Sequence, residues 1–193
     1  MSVPPGFRFN AQQFVDCILP AAPIPPFTGV RMAIDPAYFS NPTSDESAYS
    51  VGFMGEEDMS FTLLDADSGR WKGIALPNKV VDAIGTWKPD QVWVEATGNG
   101  SPDLLKDNIL MGCEAREIPI PQITFYTPRQ SKAVRVFRLQ GLVESKQLKI
   151  CPGAYTSTLI QQARDFDGSS DSNRHRLDDM LDSLSAVCFA ATF

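Results

Sequence analysis

The chain has 193 residues, of which 43% are hydrophobic and 21% are charged, the proportions of a globular protein. This length suits one domain with a buried core, and a second domain is not expected. No apolar run approaches the roughly 18 residues that span a membrane, and the N-terminus lacks the pattern of a secretory signal. A formal net charge of −6 argues against nucleic-acid binding through global charge, so a DNA-binding surface would have to be a local basic patch.

The cysteines and the single histidine argue against a zinc centre. The four cysteines, at positions 17, 113, 151 and 188, form no CxxC pair, which is typical of reduced thiols that fill a core. His175 lies in a polar run, where a solvated loop residue is the ordinary interpretation and a helper of a nearby acidic site is the alternative.

Proline dominates the first part of the chain. Residues 1–29 contain six prolines and predict an extended arm or linker, with one short amphipathic helix at residues 11–19. The folded domain is expected to cover residues 30–193.

The segment at residues 30–36 predicts a buried strand that ends on a carboxylate. Its apolar run suits a central strand, and Pro36 cannot continue the ladder because it lacks an N–H, so Asp35 lies at the strand end. Two further strands, at residues 49–54 and 60–64, flank an acidic turn and predict an antiparallel hairpin.

A second strand also ends on a carboxylate. A helix at residues 77–87 is expected to cross back over the sheet and to lead into a strand at residues 91–95 that is parallel to the first. This crossover brings the ends of both strands to one edge of the sheet. Asp35 and Glu95 are therefore expected to lie within reach of one ion.

The second half of the chain alternates helices and strands. Ser101 is the expected N-cap and Pro102 the first residue of the next helix. The expected elements are a helix at 102–111, an edge strand with two prolines at 118–125, a helix at 132–142 closed by Gly141, a strand at 148–151 and a helix at 155–166.

The helix at residues 132–142 combines an apolar side with positive charge. Its apolar side is formed by Val134, Phe137 and Leu142, and Lys132, Arg135 and Arg138 contribute its positive charge. Arg129 precedes the helix. A solvated basic face and a surface that binds DNA phosphates are both consistent with this pattern.

The last acidic positions lie on a helix near the C-terminus. Apolar residues at 177, 181, 184 and 187 follow a helical period, while Asp179 and Asp182 share a neighbouring face and Asp178 adjoins them. Carboxylates this close repel one another, and a purely structural helix has no reason to carry them unless a cation offsets their charge.

The order of a strand Asp, a strand Glu and a helix Asp resembles the ribonuclease H-like nucleases. The closest resemblance is to the C-terminal nuclease domain of the terminase large subunit of tailed bacteriophages, over residues 30–193. Five stretches carry this resemblance. They are residues 34–37 followed by Asp45 and 47–48; residues 63–65 through 69–70; residues 92–95; Lys132 and Arg135 leading to residues 141–143; and residues 178–184. The resemblance implies an α/β fold in which helices flank a central mixed sheet, with an antiparallel hairpin and parallel strands.

The resemblance also implies an activity, a metal-dependent endonuclease that cuts concatemeric double-stranded DNA during viral genome packaging. Two Mg²⁺ or Mn²⁺ ions would stabilise the attacking and leaving oxygens. Their catalytic ligands would be Asp35, Glu95, Asp179 and Asp182, with Asp178 in reserve. Asp45 matches an acidic position of the family's first loop and could support a metal ligand, although plain turn chemistry also explains it.

The implied surroundings of the domain are those of a packaging machine in the cytoplasm of an infected bacterium. Arg129, Lys132 and Arg135 would meet the phosphates of double-stranded DNA. Protein partners would be an ATPase motor domain, the small terminase subunit and the portal, and no membrane is implied. The sequence has no GxxxxGK[ST] loop, so the motor would lie outside it.

Three other classes of protein fit part of the pattern. Another ribonuclease H-like nuclease, such as a junction resolvase or an RNA-strand nuclease, would share the carboxylates and differ in its substrate. A sugar-kinase-like ATPase of the same superfamily needs two domains, for which the chain is too short. A non-catalytic docking module would bind DNA or a protein without a metal requirement.

Overall fold

We describe a computed structural model of the chain, which covers residues 7–24, 26–37, 46–71, 73–96, 102–167 and 178–189. The strands are β1 (Arg31–Asp35), β2 (Ser47–Met54), β3 (Phe61–Gly69), β4 (Gln91–Glu95), β5 (Gln122–Tyr126) and β6 (Leu148–Ile150). The helices are α1 (Ala11–Val15), α2 (Ala75–Trp87), α3 (Pro102–Ala115), α4 (Lys132–Glu144), α5 (Thr156–Asp165) and α6 (Asp179–Phe189). Within these ranges no helix has the length and apolar character that crossing a membrane requires.

The six strands form one mixed sheet in the order β5-β4-β1-β2-β3-β6. Strand β2 pairs antiparallel with both β1 and β3, which confirms the hairpin. Strand β1 is parallel to β4, β4 to β5, and β3 to β6. The fold expected from the sequence, a mixed sheet with helices around it, is therefore confirmed. Strand β5 lies at an edge as predicted, but it begins at Gln122, after the two prolines that the predicted strand contained.

Helices cover both faces of the sheet. On one face, α2 and α3 pack against the side chains of Met32 and Ile34 of β1. On the other face α1, α4, α5 and α6 surround a second core that includes Ala33 of β1. Because side chains alternate along a strand, Asp35 shares the face of Ala33, on the side that α6 covers.

Helix α4 differs from its prediction in length and in which side is buried. It continues past Gly141 to Glu144, and the backbone at Gly141 does not adopt the left-handed conformation that ends a helix there. Its buried face consists of Arg135, Val136, Leu139 and Val143, whereas the three residues predicted to be apolar anchors are only half-buried. The apolar pattern alone placed Arg135 on the wrong side, because a buried arginine needs partners that a single helix does not reveal.

Part of the proline-rich segment packs into the domain. Phe9 and Phe14 are buried in the core beside α5, and helix α1 is shorter than predicted. Ile18 forms a parallel bridge to Ile150 of β6 and so covers an edge strand. The boundary at residue 30 stays a prediction. Asp45, Ser101 and His175 lie outside the described residues.

Candidate active site

Three carboxylates meet where β1, β4 and α6 come together. Asp35 and Glu95 are the last residues of two parallel neighbouring strands, and Asp182 lies in the first turn of α6. One oxygen of each lies within 4.8 Å of those of the other two. Glu95 and Asp182 are buried and Asp35 is partly buried. We call these three residues the carboxylate triad.

Two more carboxylates stand beside the triad, and Lys132 holds them. Its Nζ lies 2.7 Å from an oxygen of Asp178, 2.9 Å from Oδ1 of Asp179 and 3.9 Å from Oδ2 of Asp182. Oδ2 of Asp179 accepts a hydrogen bond from the backbone N–H of Glu46 at 3.0 Å. Asp179 therefore belongs to the same cluster but not to the triad. The acidic cluster below means the triad together with Asp178 and Asp179.

Arg135 joins two members of the triad. Its Nε donates to Oδ1 of Asp182 at 2.9 Å, and its Nη2 donates to Oδ2 of Asp182 and, at 3.3 Å, to Oε2 of Glu95. Its Nη1 donates to the backbone oxygen of Gln130 at 3.1 Å. The side chain is buried, with its guanidinium committed to these partners. Contact between Arg135 and DNA phosphates stays a prediction, as it does for Lys132 and for the exposed Arg129.

Tyr126 is a site residue that the sequence reasoning missed. It ends β5 directly opposite Glu95 in the register of β4, and its buried hydroxyl donates to Oε2 of Glu95 at 3.2 Å. A third parallel strand ending at the same edge was the signal that would have identified it, because adjacent strand ends share one site.

Buried polar groups fix the orientation of α6. Gln162 of α5 accepts hydrogen bonds through Oε1 from the backbone N–H groups of Met180 and Leu181, at 3.1 and 3.3 Å, and so satisfies free donors at the start of α6. The hydroxyls of Ser50 and Ser183 lie 2.7 Å apart between β2 and α6. These contacts hold the helix that carries the acidic residues against the sheet. Nothing in the local sequence pattern marks them.

The acidic cluster is short of positive charge. Burial and the repulsion of Asp182 raise the pKa of Asp35 well above its usual range. Burial and Asp182 also raise the pKa of Glu95, although Arg135 and the Tyr126 hydroxyl oppose the shift. Burial alone would lower the pKa of Lys132, yet its carboxylate neighbours raise it well above the ordinary value. Among the described residues, two cationic side chains, Lys132 and Arg135, face the five carboxylates of the cluster.

The donor set of the triad fits a hard divalent cation. All three ligands offer carboxylate oxygens, which Mg²⁺ and Mn²⁺ prefer, and neither a thiol nor an imidazole of the described residues joins them. Burial first and then repulsion raise the pKa of Asp35 and Glu95, and a cation at this place would offset the repulsion.

The cap on α6 predicts a stability effect for Gln162→Ala. The substitution leaves two backbone N–H groups of α6 without this acceptor in a buried place, which should lower the free energy of unfolding by about 2 kcal/mol. Urea denaturation measures the change. Gln161→Ala is the matched control, because its exposed side chain hydrogen-bonds Asp165 on the same helix, and it should cost well under 1 kcal/mol. Equal losses in the two variants would contradict the capping role.

The raised pKa of Asp35 predicts that Asp35→Asn stabilises the metal-free domain at neutral pH. A carboxyl whose pKa is higher in the folded state than in the unfolded state favours folding below its unfolded pKa, about 3.9, and loses that contribution as the pH rises. In EDTA the variant should therefore melt a few degrees above the wild type at pH 7, since 1 kcal/mol corresponds to about 2–4 °C at this size. The difference should vanish near pH 4.

The same melting experiment with Mn²⁺ should reverse the order. The wild type should gain stability from the ion, whereas Asp35→Asn, which lacks one ligand of the triad, should gain little. If Asp35→Asn were less stable than the wild type in EDTA at pH 7, this would contradict the destabilising effect attributed to the Asp35 carboxylate.

Comparison with known proteins gives the family. The family model of the terminase RNaseH-like domain matches residues 32–190. None of the curated proteins compared with the chain matches it.

Three solved structures share its fold. The nuclease domain of the P22 large terminase is 13% identical, with a TM-score of 0.63, and the alignment covers 94% of this chain and 89% of that one. The human cytomegalovirus terminase nuclease domain is 11% identical, with a TM-score of 0.60 and coverage of 83% and 82%. The Mn-bound nuclease domain of the large terminase from bacteriophage SPP1 is 13% identical, with a TM-score of 0.51 and coverage of 98% and 94%. The ribonuclease H-like fold and the resemblance seen in the sequence are thereby confirmed, and the chain belongs to the family of terminase RNaseH-like domains.

Proposed function

We propose that this domain is the metal-dependent endonuclease of a viral DNA-packaging terminase. The observation that carries the proposal is the carboxylate triad of Asp35, Glu95 and Asp182, whose oxygens converge within 4.8 Å in a member of the terminase RNaseH-like family. The alternative of a non-catalytic docking module gives no reason to gather buried carboxylates at the ends of two strands and a helix.

The triad would hold Mg²⁺ or Mn²⁺, and the related domain of SPP1 was solved with bound Mn. A bound ion of this kind supplies Lewis acidity and a nucleophilic water at neutral pH. The resemblance implies a pair of ions, for which Asp179 would be the further ligand and Asp178 its reserve.

The surrounding residues orient the ligands of the triad. Arg135 grips both oxygens of Asp182 and one oxygen of Glu95, and Tyr126 donates to that same oxygen of Glu95. Carboxylates held by such hydrogen bonds lose little conformational freedom when they coordinate a cation. Their role is therefore to keep the triad in place while the phosphodiester bond is cut.

The proposed substrate is concatemeric double-stranded DNA, cut at the start and the end of packaging. The net charge of −6 requires local contacts with the phosphates. Arg129 is exposed in the loop that leads into α4, the helix whose first residue, Lys132, reaches the acidic cluster. We assign phosphate contact first to Arg129, then to Lys132, whose side chain is one-third exposed, and last to the buried Arg135.

The proposed setting is the cytoplasm of an infected bacterium. An ATPase motor domain would act together with this nuclease and would be joined to it through residues 1–29, of which Phe9 and Phe14 pack into the nuclease core. The small terminase subunit and the portal would be further partners. These assignments rest on membership of the family and on the proline-rich composition of the first segment.

Plasmid cleavage tests the proposed activity. The domain should cut plasmid DNA with Mn²⁺ or Mg²⁺ and not with EDTA, and Asp35→Asn and Asp182→Asn should each reduce cutting by at least about 100-fold, because each removes a metal ligand. Asp67→Asn is the matched control, since Asp67 is outside the triad and pairs with the exposed Lys79. Metal-independent cutting would overturn the proposed metal-dependent mechanism. The absence of both cutting and Mn²⁺ binding would overturn the nuclease proposal and favour the docking module. Preference for a four-way junction or an RNA–DNA hybrid would point to another ribonuclease H-like nuclease.

DNA binding by Arg129 predicts a change in salt dependence. Arg129→Ala should weaken duplex binding and reduce the slope of log affinity against log salt by about 1, as expected for one lost phosphate contact. Arg116→Ala is the matched control, because Arg116 is exposed and pairs with Asp82 of α2 on the opposite face of the sheet. Fluorescence anisotropy in Ca²⁺ or EDTA separates binding from cutting. An unchanged slope for Arg129→Ala would show that Arg129 does not contact the DNA phosphates.

A further inference from the structure

The acidic cluster is divided into two parts by the side chains that touch it. The first part is the carboxylate triad, whose oxygens converge on one position. The second part consists of Asp178 and Asp179, and at its centre lies the ammonium group of Lys132. The two parts meet at Asp182, whose Oδ2 is 3.9 Å from the same ammonium.

The Lys132 ammonium makes the contacts that a cation between Asp178 and Asp179 would make. Its Nζ is 2.7 Å from Oδ1 of Asp178 and 2.9 Å from Oδ1 of Asp179. The other oxygen of Asp179 accepts the backbone N–H of Glu46. An ion that used Asp179 would therefore share Oδ1 with the ammonium of Lys132 or Oδ2 with this backbone N–H.

The position of Lys132 is built into α4. Lys132 is the first residue of the helix, and Arg135 follows three residues later, so the two side chains share one face. Arg135 is anchored by the triad, and its backbone oxygen accepts a hydrogen bond from Ser185 of α6 at 2.7 Å. This anchor holds the start of α4 against α6 and keeps the Lys132 ammonium within reach of the carboxylates of α6.

Repulsion between positive charges also disfavours a second divalent ion beside Lys132. A divalent ion at the triad and the Lys132 ammonium would share Asp182, and a second divalent ion would have to enter beside both. A lysine ammonium is a compact point charge that replaces one cation electrostatically but brings no open coordination position.

We propose that Lys132 takes the place of a second metal ion, so that this domain binds one divalent ion, at Asp35, Glu95 and Asp182. The inference rests on the proposed function and replaces the pair of ions that the family resemblance implies with one ion and one ammonium. Lys132 is thus a built-in positive charge of the site.

Counting bound Mn²⁺ on the whole chain tests the inference without reference to cleavage. Isothermal titration calorimetry, with free Mn²⁺ followed by electron paramagnetic resonance, should give one ion per chain for the wild type. Lys132→Met removes the charge at similar length and should raise the number to two. Lys132→Arg keeps the charge and should leave it at one.

Matched variants separate the possible results. Lys149→Met removes a lysine that pairs with Asp58 away from the cluster, and it should still bind one ion. Two ions of comparable affinity in the wild type, or one ion in Lys132→Met, would overturn the inference and leave the nuclease proposal standing. No ion in the wild type would overturn the proposed function itself. If circular dichroism shows that Lys132→Met does not fold, Lys132→Gln takes its place and should likewise bind two ions.

Discussion

The balance of charge between α4 and the acidic cluster is the constraint on which the site depends. Buried carboxylates are tolerated only when cations and hydrogen bonds compensate them. Arg135 supplies this compensation for Glu95 and Asp182, and Lys132 supplies it for Asp178 and Asp179. This compensation is incomplete, because in the part of the chain that the structure describes two cationic side chains face five carboxylates. The site therefore retains a deficit of positive charge that a divalent ion can fill.

The sheet provides the geometry for this balance. Parallel pairing of β1 with β4 and of β4 with β5 brings Asp35, Glu95 and Tyr126 to one edge. Alternation along β1 turns Asp35 towards the face that α6 covers, where Ala33 and Ser50 leave room for the helix. Gln162 then fixes the start of α6 from a third element. Each functional side chain lies at the end of a rigid element, which is how a site keeps its shape while its own groups repel one another.

The predictions succeeded where a local pattern has one tertiary solution. A β-rich run that ends at Asp35-Pro36 has to stop there, and the crossover helix makes the pairing with the strand of Glu95 parallel. Predictions failed where a residue's environment comes from other elements. Arg135 looked like part of a solvent-facing basic surface, but the carboxylates that permit its burial come from β4 and α6. Gly141 looked like a helix stop, but the backbone there stays helical because the apolar face continues to Val143.

The sequence by itself determined the mixed α/β fold, the family and the residue types of the site, since strand ends, helical periods and an excess of carboxylates are properties of the local chain. Only the tertiary structure decided which carboxylates converge. Asp179 and Asp182 are both acidic positions of one helix turn, yet Asp182 joins Asp35 and Glu95 while Asp179 faces Lys132 and the backbone of Glu46. That division depends on how α4 and α6 pack on the sheet. Contacts between elements distant along the chain leave no mark in the periodicity of either one.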